Sequence, residues 1–194
     1  MLVNEKRRHM LSLLHNGRSA GFSLIELMIG IAIMAIVVSL AMPSYSAWIQ
    51  NTRIRTAAES IQNGLQVARA EAVRRNARVQ FAFGVNSAWT VGCVTVVEPD
   101  CPAVIQSRTA SEGSSADITV ATSDAGPFVF SGLGAMVSPV PAAANGFVSI
   151  NVDVSTAVLS AAESRELRVM VGIGGSTRMC DPAITSATDP RKCQ

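Results

Sequence analysis

Apolar and polar positions divide the chain into three textures. From Phe22 to Met42 it reads FSLIELMIGIAIMAIVVSLAM, 21 residues that are almost wholly apolar. About 20 such residues, rising about 1.5 Å each, cross a hydrocarbon core of about 30 Å. Glu26 breaks the pattern. A carboxylate within such a segment costs about 2.5 kcal/mol or more and marks a specific partner; the plainer alternative leaves it at headgroup level, four residues into the segment. Pro43 follows, then Tyr45, Trp48 and Ile49. Aromatic residues there fit a membrane boundary, and the proline is a candidate helix kink. Beyond it Ile54, Ala58, Ile61, Leu65, Ala68 and Ala72 recur at steps of 3 and 4, the spacing of one apolar helical stripe. The spacing predicts one helix over 22–76, with residues 22–43 the transmembrane half and 44–76 an amphipathic continuation.

From residue 77 the texture changes. Val79–Phe83 and Trp89–Val97 are rich in β-branched and aromatic residues with partial alternation, and Gly84-Val85-Asn86-Ser87 between them suits a hairpin turn. Further strands are expected at 104–109, 117–122, 127–130, 147–154 and 166–173, a loop over 138–146 and an irregular tail from Gly174. One helix followed by a run of strands predicts an α+β fold, the helix packed on an antiparallel β-sheet domain spanning 77–194.

Charge sharpens this division. The net charge is +2, but Lys6, Arg7, Arg8 and Arg18 stand against only Glu5 in residues 1–21. Setting that piece aside leaves 12 basic residues facing 13 acidic ones, and removes both histidines, His9 and His15. A secretory signal carries its small-residue cleavage site after the apolar region; here Ser19-Ala20-Gly21 come before it. A cut there leaves the membrane segment on the mature chain. The positive-inside rule keeps the basic end cytoplasmic and puts the C-terminal portion outside the inner membrane.

Cys93, Cys101, Cys180 and Cys193 then fall on the exported side, where disulfides persist. Four cysteines allow three connectivities. The nearest-neighbour choice, Cys93–Cys101 and Cys180–Cys193, closes two short loops. A zinc site is the rival, but the spacings are not paired C-x₂-C and the mature chain offers no histidine. No metal site and no cofactor is expected.

Gly21-Phe22-Ser23-Leu24-Ile25-Glu26 ahead of an apolar helix resembles the class III signal of type IV pilins and type II secretion pseudopilins. That resemblance implies a leader over residues 1–21, cleaved by a prepilin peptidase between Gly21 and Phe22, with N-methylation of Phe22. It makes Glu26 the fifth mature residue and Pro43 the twenty-second, positions where the family carries a glutamate and a helix-breaking proline. It also implies a role for Glu26 in subunit assembly. The ammonium of one subunit's Phe22 can neutralise a neighbour's Glu26 in a filament, setting register while offsetting burial. Beyond the helix, Asn51–Asn76 with Val79–Phe83, and the cysteine-bearing end, resemble the FimT/FimU group of minor pilins with its GspH-type domain. The implied partners are other minor and major pilins and an inner-membrane assembly platform.

Some FimT-like proteins bind DNA through a C-terminal G-R-x-R element. The matching positions here are Gly175-Ser176-Thr177-Arg178, so the first arginine is replaced by Ser176. Arg178, Arg191 and Lys192 remain as candidate DNA-binding cations, with one phosphate contact fewer. Arg53, Arg55, Arg69, Arg74, Arg75 and Arg78 form a second basic group, outnumbering Glu59 and Glu71 on the amphipathic helix. They suit phosphates, anionic headgroups or acidic neighbours, or simply a solvated polar face. Three functions are thus in play: a minor pilin acting in pilus assembly, a GspH-like pseudopilin of type II secretion, and a DNA-receptor pilin. An exported enzyme finds no support, since the mature chain lacks histidine, G-x-S-x-G and G-x-x-x-x-G-K-[ST].

Overall fold

The computed structural model describes residues 21–112, 114–124, 126–141 and 145–193; the expected leader lies almost wholly outside them. The helix α1 spans Leu24–Arg75. Ser23 caps its start, its hydroxyl accepting the Glu26 backbone N–H at 3.2 Å. At its end Asn76 adopts φ 48°. Ala77 N–H then donates to Ala72 C=O at 3.1 Å and Asn76 N–H to Val73 C=O at 3.2 Å. That pair of bonds is the Schellman arrangement, with asparagine in the left-handed position usually filled by glycine.

Two compact units divide between Met42 and Pro43. In the first, every described residue is exposed. The helical segment here is long and apolar enough to cross a membrane, with a mean hydropathy of 2.6 in its most apolar window.

In the second unit, α1 continues on from Pro43 and its apolar stripe forms one side of the core. Ile54, Ala57, Ala58, Ile61, Leu65, Ala68 and Ala72 are all fully buried. Opposite them lie two antiparallel sheets where the sequence predicted one. The first contains β1 (Val79–Phe83), β2 (Trp89–Cys93), β3 (Gln106–Arg108), β5 (Phe128–Phe130) and β6 (Met136–Ser138), in the order β3-β2-β1-β5-β6. The second contains β4 (Ile118–Thr122), β7 (Phe147–Val154), β8 (Leu167–Gly172) and β9 (Thr177–Cys180), in the order β4-β7-β8-β9.

Alternation explains where these strands bury. Along β7, Val148, Ile150, Val152 and Val154 face the core while the residues between them are half-exposed. In the first sheet, Phe81 packs edge-on to Phe83 and Phe128 at ring-centroid distances of 5.0 and 6.3 Å. Gly64 lets α1 approach this cluster: a Cβ there would lie 2.6 Å from a Phe81 ring carbon and 3.0 Å from Trp89. The buried Trp89 indole donates to Ser60 Oγ at 2.9 Å, so the one polar pair at this contact is satisfied.

Three expectations need correction. The strand expected over 89–97 stops at Cys93, where the backbone turns into a loop that the Cys93–Cys101 disulfide closes. Strands β6 and β9 were not expected; β6 begins inside a stretch of short apolar residues, and β9 lies in what reads as an irregular tail. Both owe their assignment to long-range partners, β6 to β5 and β9 to β8.

Candidate functional site

Gly21 and Phe22 precede α1 in exposed chain outside the helix, and a Cβ on Gly21 would meet nothing within 4 Å. Glu26 follows in the first helical turn, also exposed, with its N–H held by Ser23. A negative residue at this end of a helix is favoured by the helix dipole. This local role is one the apolar pattern hides, although Ser-x-x-Glu is itself a capping signature. Pro43 lies within α1.

The basic residues of α1 are largely engaged. Arg55 Nε meets Glu59 at 2.8 Å. Glu71 takes both Arg74, at 2.6 Å, and Arg75, at 2.8 Å. The hydrogen bond from Arg74, joined by that from Arg75, holds the Glu71 carboxyl below its ordinary range despite partial burial. Arg75 also donates to the Asp100 carbonyl, tying the helix end to the disulfide loop. Arg69 donates to Gly134 C=O at 3.1 Å, between the turn joining β5 and β6 and the turn joining β8 and β9.

That contact gives Gly175 a packing role. It has φ +75°, and a Cβ there would lie 2.1 Å from the Gly134 carbonyl oxygen. The element Gly175-Ser176-Thr177-Arg178 is therefore the turn into β9 together with its first residues. Thr177 accepts a hydrogen bond from Gln66 of α1 at 3.3 Å, and Met179 packs against the core. Strand alternation sends Arg178 to the opposite face, where its guanidinium rests 3.8 Å from Met170 Sδ.

Arg191 lies elsewhere. It forms a two-pronged pair with Asp189, at 3.2 Å from Nε and 2.9 Å from Nη2. This hydrogen-bonded pairing raises the Arg191 pKa and lowers that of Asp189. The backbone at Lys192 pairs with that at Asp181 in an isolated parallel β-bridge, and Asp181 N–H donates to Arg191 C=O at 2.8 Å. Of the three candidate DNA-binding cations, Arg191 and Lys192 share the disulfide-bounded tail and Arg178 occupies the far face of the sheet. The tail is closed by Cys180–Cys193, with a Cα separation of 5.1 Å; the Cys93–Cys101 pair has a Cα separation of 5.6 Å.

A feature absent from the sequence reading is a cavity of about 320 Å³ rimmed by Asn51, Arg55, Arg165, Asp181 and Arg191. Leu167 and Met179 form its apolar floor. Asn51 builds one wall by a double hydrogen bond. Its amide nitrogen donates to Glu163 C=O at 3.0 Å and its oxygen accepts from Arg165 N–H at 2.8 Å. The rim draws on three separate parts of the chain, namely α1, the connection between β7 and β8, and the disulfide-closed tail, so no local motif announces the site.

Among known proteins, the family model described as type II transport protein GspH matches residues 57–175. A second, the prokaryotic N-terminal methylation motif, matches residues 16–42. The fold is similar to the crystal structure of the Pseudomonas aeruginosa type IV minor pilin FimU. The TM-score is 0.50 at 15% identity, over 69% of this chain and 92% of that one. The minor pseudopilin EpsH from the type 2 secretion system of Vibrio cholerae gives 0.49 at 13% identity, over 68% of this chain and 99% of that one. No curated protein matches.

Proposed function

The chain belongs to the GspH family of pilins and pseudopilins, which are structural subunits and not enzymes, and on that footing we propose that it is a minor type IV pilin acting in pilus assembly. The observation that carries this reading is the first half of α1. Leu24, Ile33, Met34 and Leu40 are each more than half exposed, on all sides of the helix. An apolar surface of that extent needs a cover its own unit does not supply. In the membrane the cover is lipid, and in a filament it is the same helix of neighbouring subunits.

The membrane is the inner membrane, with the second unit in the periplasm, where both disulfides are stable. A prepilin peptidase cuts between Gly21 and Phe22, and the new Phe22 amine pairs with Glu26 of an adjacent subunit. The assembly platform supplies the work of extraction. The paired cysteines support the pilus over the secretion filament. The DNA-receptor role is supported less well, since Ser176 replaces the first arginine of the element and Asp189 balances Arg191.

Glu26→Ala tests the reading in the piliated host. Membrane insertion persists and the subunit's share in sheared filaments falls sharply; undiminished incorporation refutes the pairing of Glu26 with a neighbour's amine. Loss of secretion with normal piliation in a strain lacking the subunit assigns it to type II secretion instead.

A further inference from the structure

An exposed helix face begins where the chain enters the second unit. Tyr45 and Trp48 stack there with ring centroids 5.9 Å apart, exposed at 62% and 63%. Helical steps of three and seven carry the same face from Trp48 to Asn51 and Arg55. At that point it opens into the arginine-rimmed cavity. Arg165 arrives from the connection between β7 and β8, and Arg191 from the disulfide-closed tail.

Among the described residues lining the cavity, three arginines face one carboxylate, Asp181. Glu59 and Asp189 engage Arg55 and Arg191 from outside the lining, through part of each guanidinium's five donors. Among the described residues, Arg165 has no ion pair. Arg165, together with the guanidinium donors that Arg55 and Arg191 leave unused, therefore offers an anion its hydrogen bonds, beside apolar lining from Leu167 and Met179.

Exposed aromatic rings beside convergent guanidinium groups match the chemistry of a lipid interface. Indole and phenol rings favour headgroup level, and guanidinium forks match phosphate oxygens. Tyr45 and Trp48 follow the apolar segment by three and six residues on the same helix, which favours the bilayer over an acidic protein as the occupant. We propose that Tyr45, Trp48, Arg55, Arg165 and Arg191 form a docking face for an anionic phospholipid, whose phosphodiester enters the cavity. The face holds the second unit against the bilayer until the subunit leaves for a filament. This inference rests on the membrane anchoring of residues 22–42.

The full chain is placed in nanodiscs of phosphatidylcholine alone or with phosphatidylglycerol, and hydrogen exchange is followed at residues 163–167 and 179–193. Phosphatidylglycerol slows exchange there, and the protection weakens as salt rises. Replacing both arginines, Arg165→Gln with Arg191→Gln, reduces it about tenfold, whereas Arg→Lys at the same two positions retains most of it. Equal exchange in the two discs overturns the proposal, as does undiminished protection in the glutamine variant. Equal protection from inorganic phosphate or an acidic peptide, added to phosphatidylcholine discs, overturns it in favour of a free anion or a protein partner. Co-elution of the chain with the discs is read first. Failure to insert refutes the membrane anchor itself, while insertion without lipid dependence refutes only the docking face.

Discussion

Along α1, Leu24, Ile33 and Met34 of the first unit are 77%, 57% and 63% exposed, whereas Ile54, Ile61 and Leu65 of the second are fully buried. Both stretches are strongly helical and apolar in places, so propensity does not separate them. Patterning does. The second stretch confines its apolar residues to one stripe, which two sheets can cover. The first is apolar all round, which no single partner surface in the same chain can cover. A stripe specifies an intramolecular core; an unbroken cylinder specifies lipid or a bundle of other helices.

Truncation breaks this comparison most directly. Leu65→Ala should destabilise the second unit by about 2–5 kcal/mol, through lost burial and a residual cavity between α1 and the sheets. The same change at Leu27, exposed in the first unit, should leave the melting temperature unchanged in a thermal unfolding series in detergent. Equal effects would show that the two halves share one cooperative unit.

A smaller effect is expected from the tail. Cys180→Ser with Cys193→Ser opens a loop with a sequence separation of 13. In the loop-entropy model that costs about 3 kcal/mol. Denaturant unfolding of the double variant measures it, and limited proteolysis should cut between residues 181 and 193 first. Unchanged stability would mean that the helix–sheet core alone holds the unit.

The smallest effect is electrostatic. Arg74 and Arg75 hold Glu71 below its ordinary pKa, so its folded-state value lies below its unfolded one. The stability this confers is present above the unfolded pKa, about 4.3, and is lost as pH falls through the folded value. The melting temperature of the Glu71→Gln variant should therefore fall less between pH 5 and pH 2 than that of the unchanged protein. The difference is modest beside the burial term, because Arg74 is itself 63% exposed.

How much was legible depended on the range of the signal. The 52-residue helix was visible from its periodicity, and β7 from its alternation. The N-terminal methylation motif is contiguous, so Gly21, Phe22 and Glu26 could be singled out as candidates without any fold. Strand β6 has three residues and a register shift against β5, and β9 shows little alternation in burial. Neither carries a local signature strong enough to predict it. The division into two sheets was equally hidden, since it follows from which strands find each other. So was the face on which Arg178 lies, since it follows from the pairing of β9 with β8, which sets Arg178 beside Met170.

The sequence by itself determined what depends on neighbours along the chain: the apolar cylinder, the stripe that follows it, the capped start at Ser23 and the processing signature. These are local because helical periodicity and capping are satisfied within one or two turns. Tertiary structure alone decided the sheet order, the packing role of Gly175 beneath Gly134, and the meeting of Arg55, Arg165 and Arg191 around one cavity. Those features join residues from tens to more than a hundred positions apart or fix a backbone approach of a few ångströms. Only the burial of a common core brings such groups together.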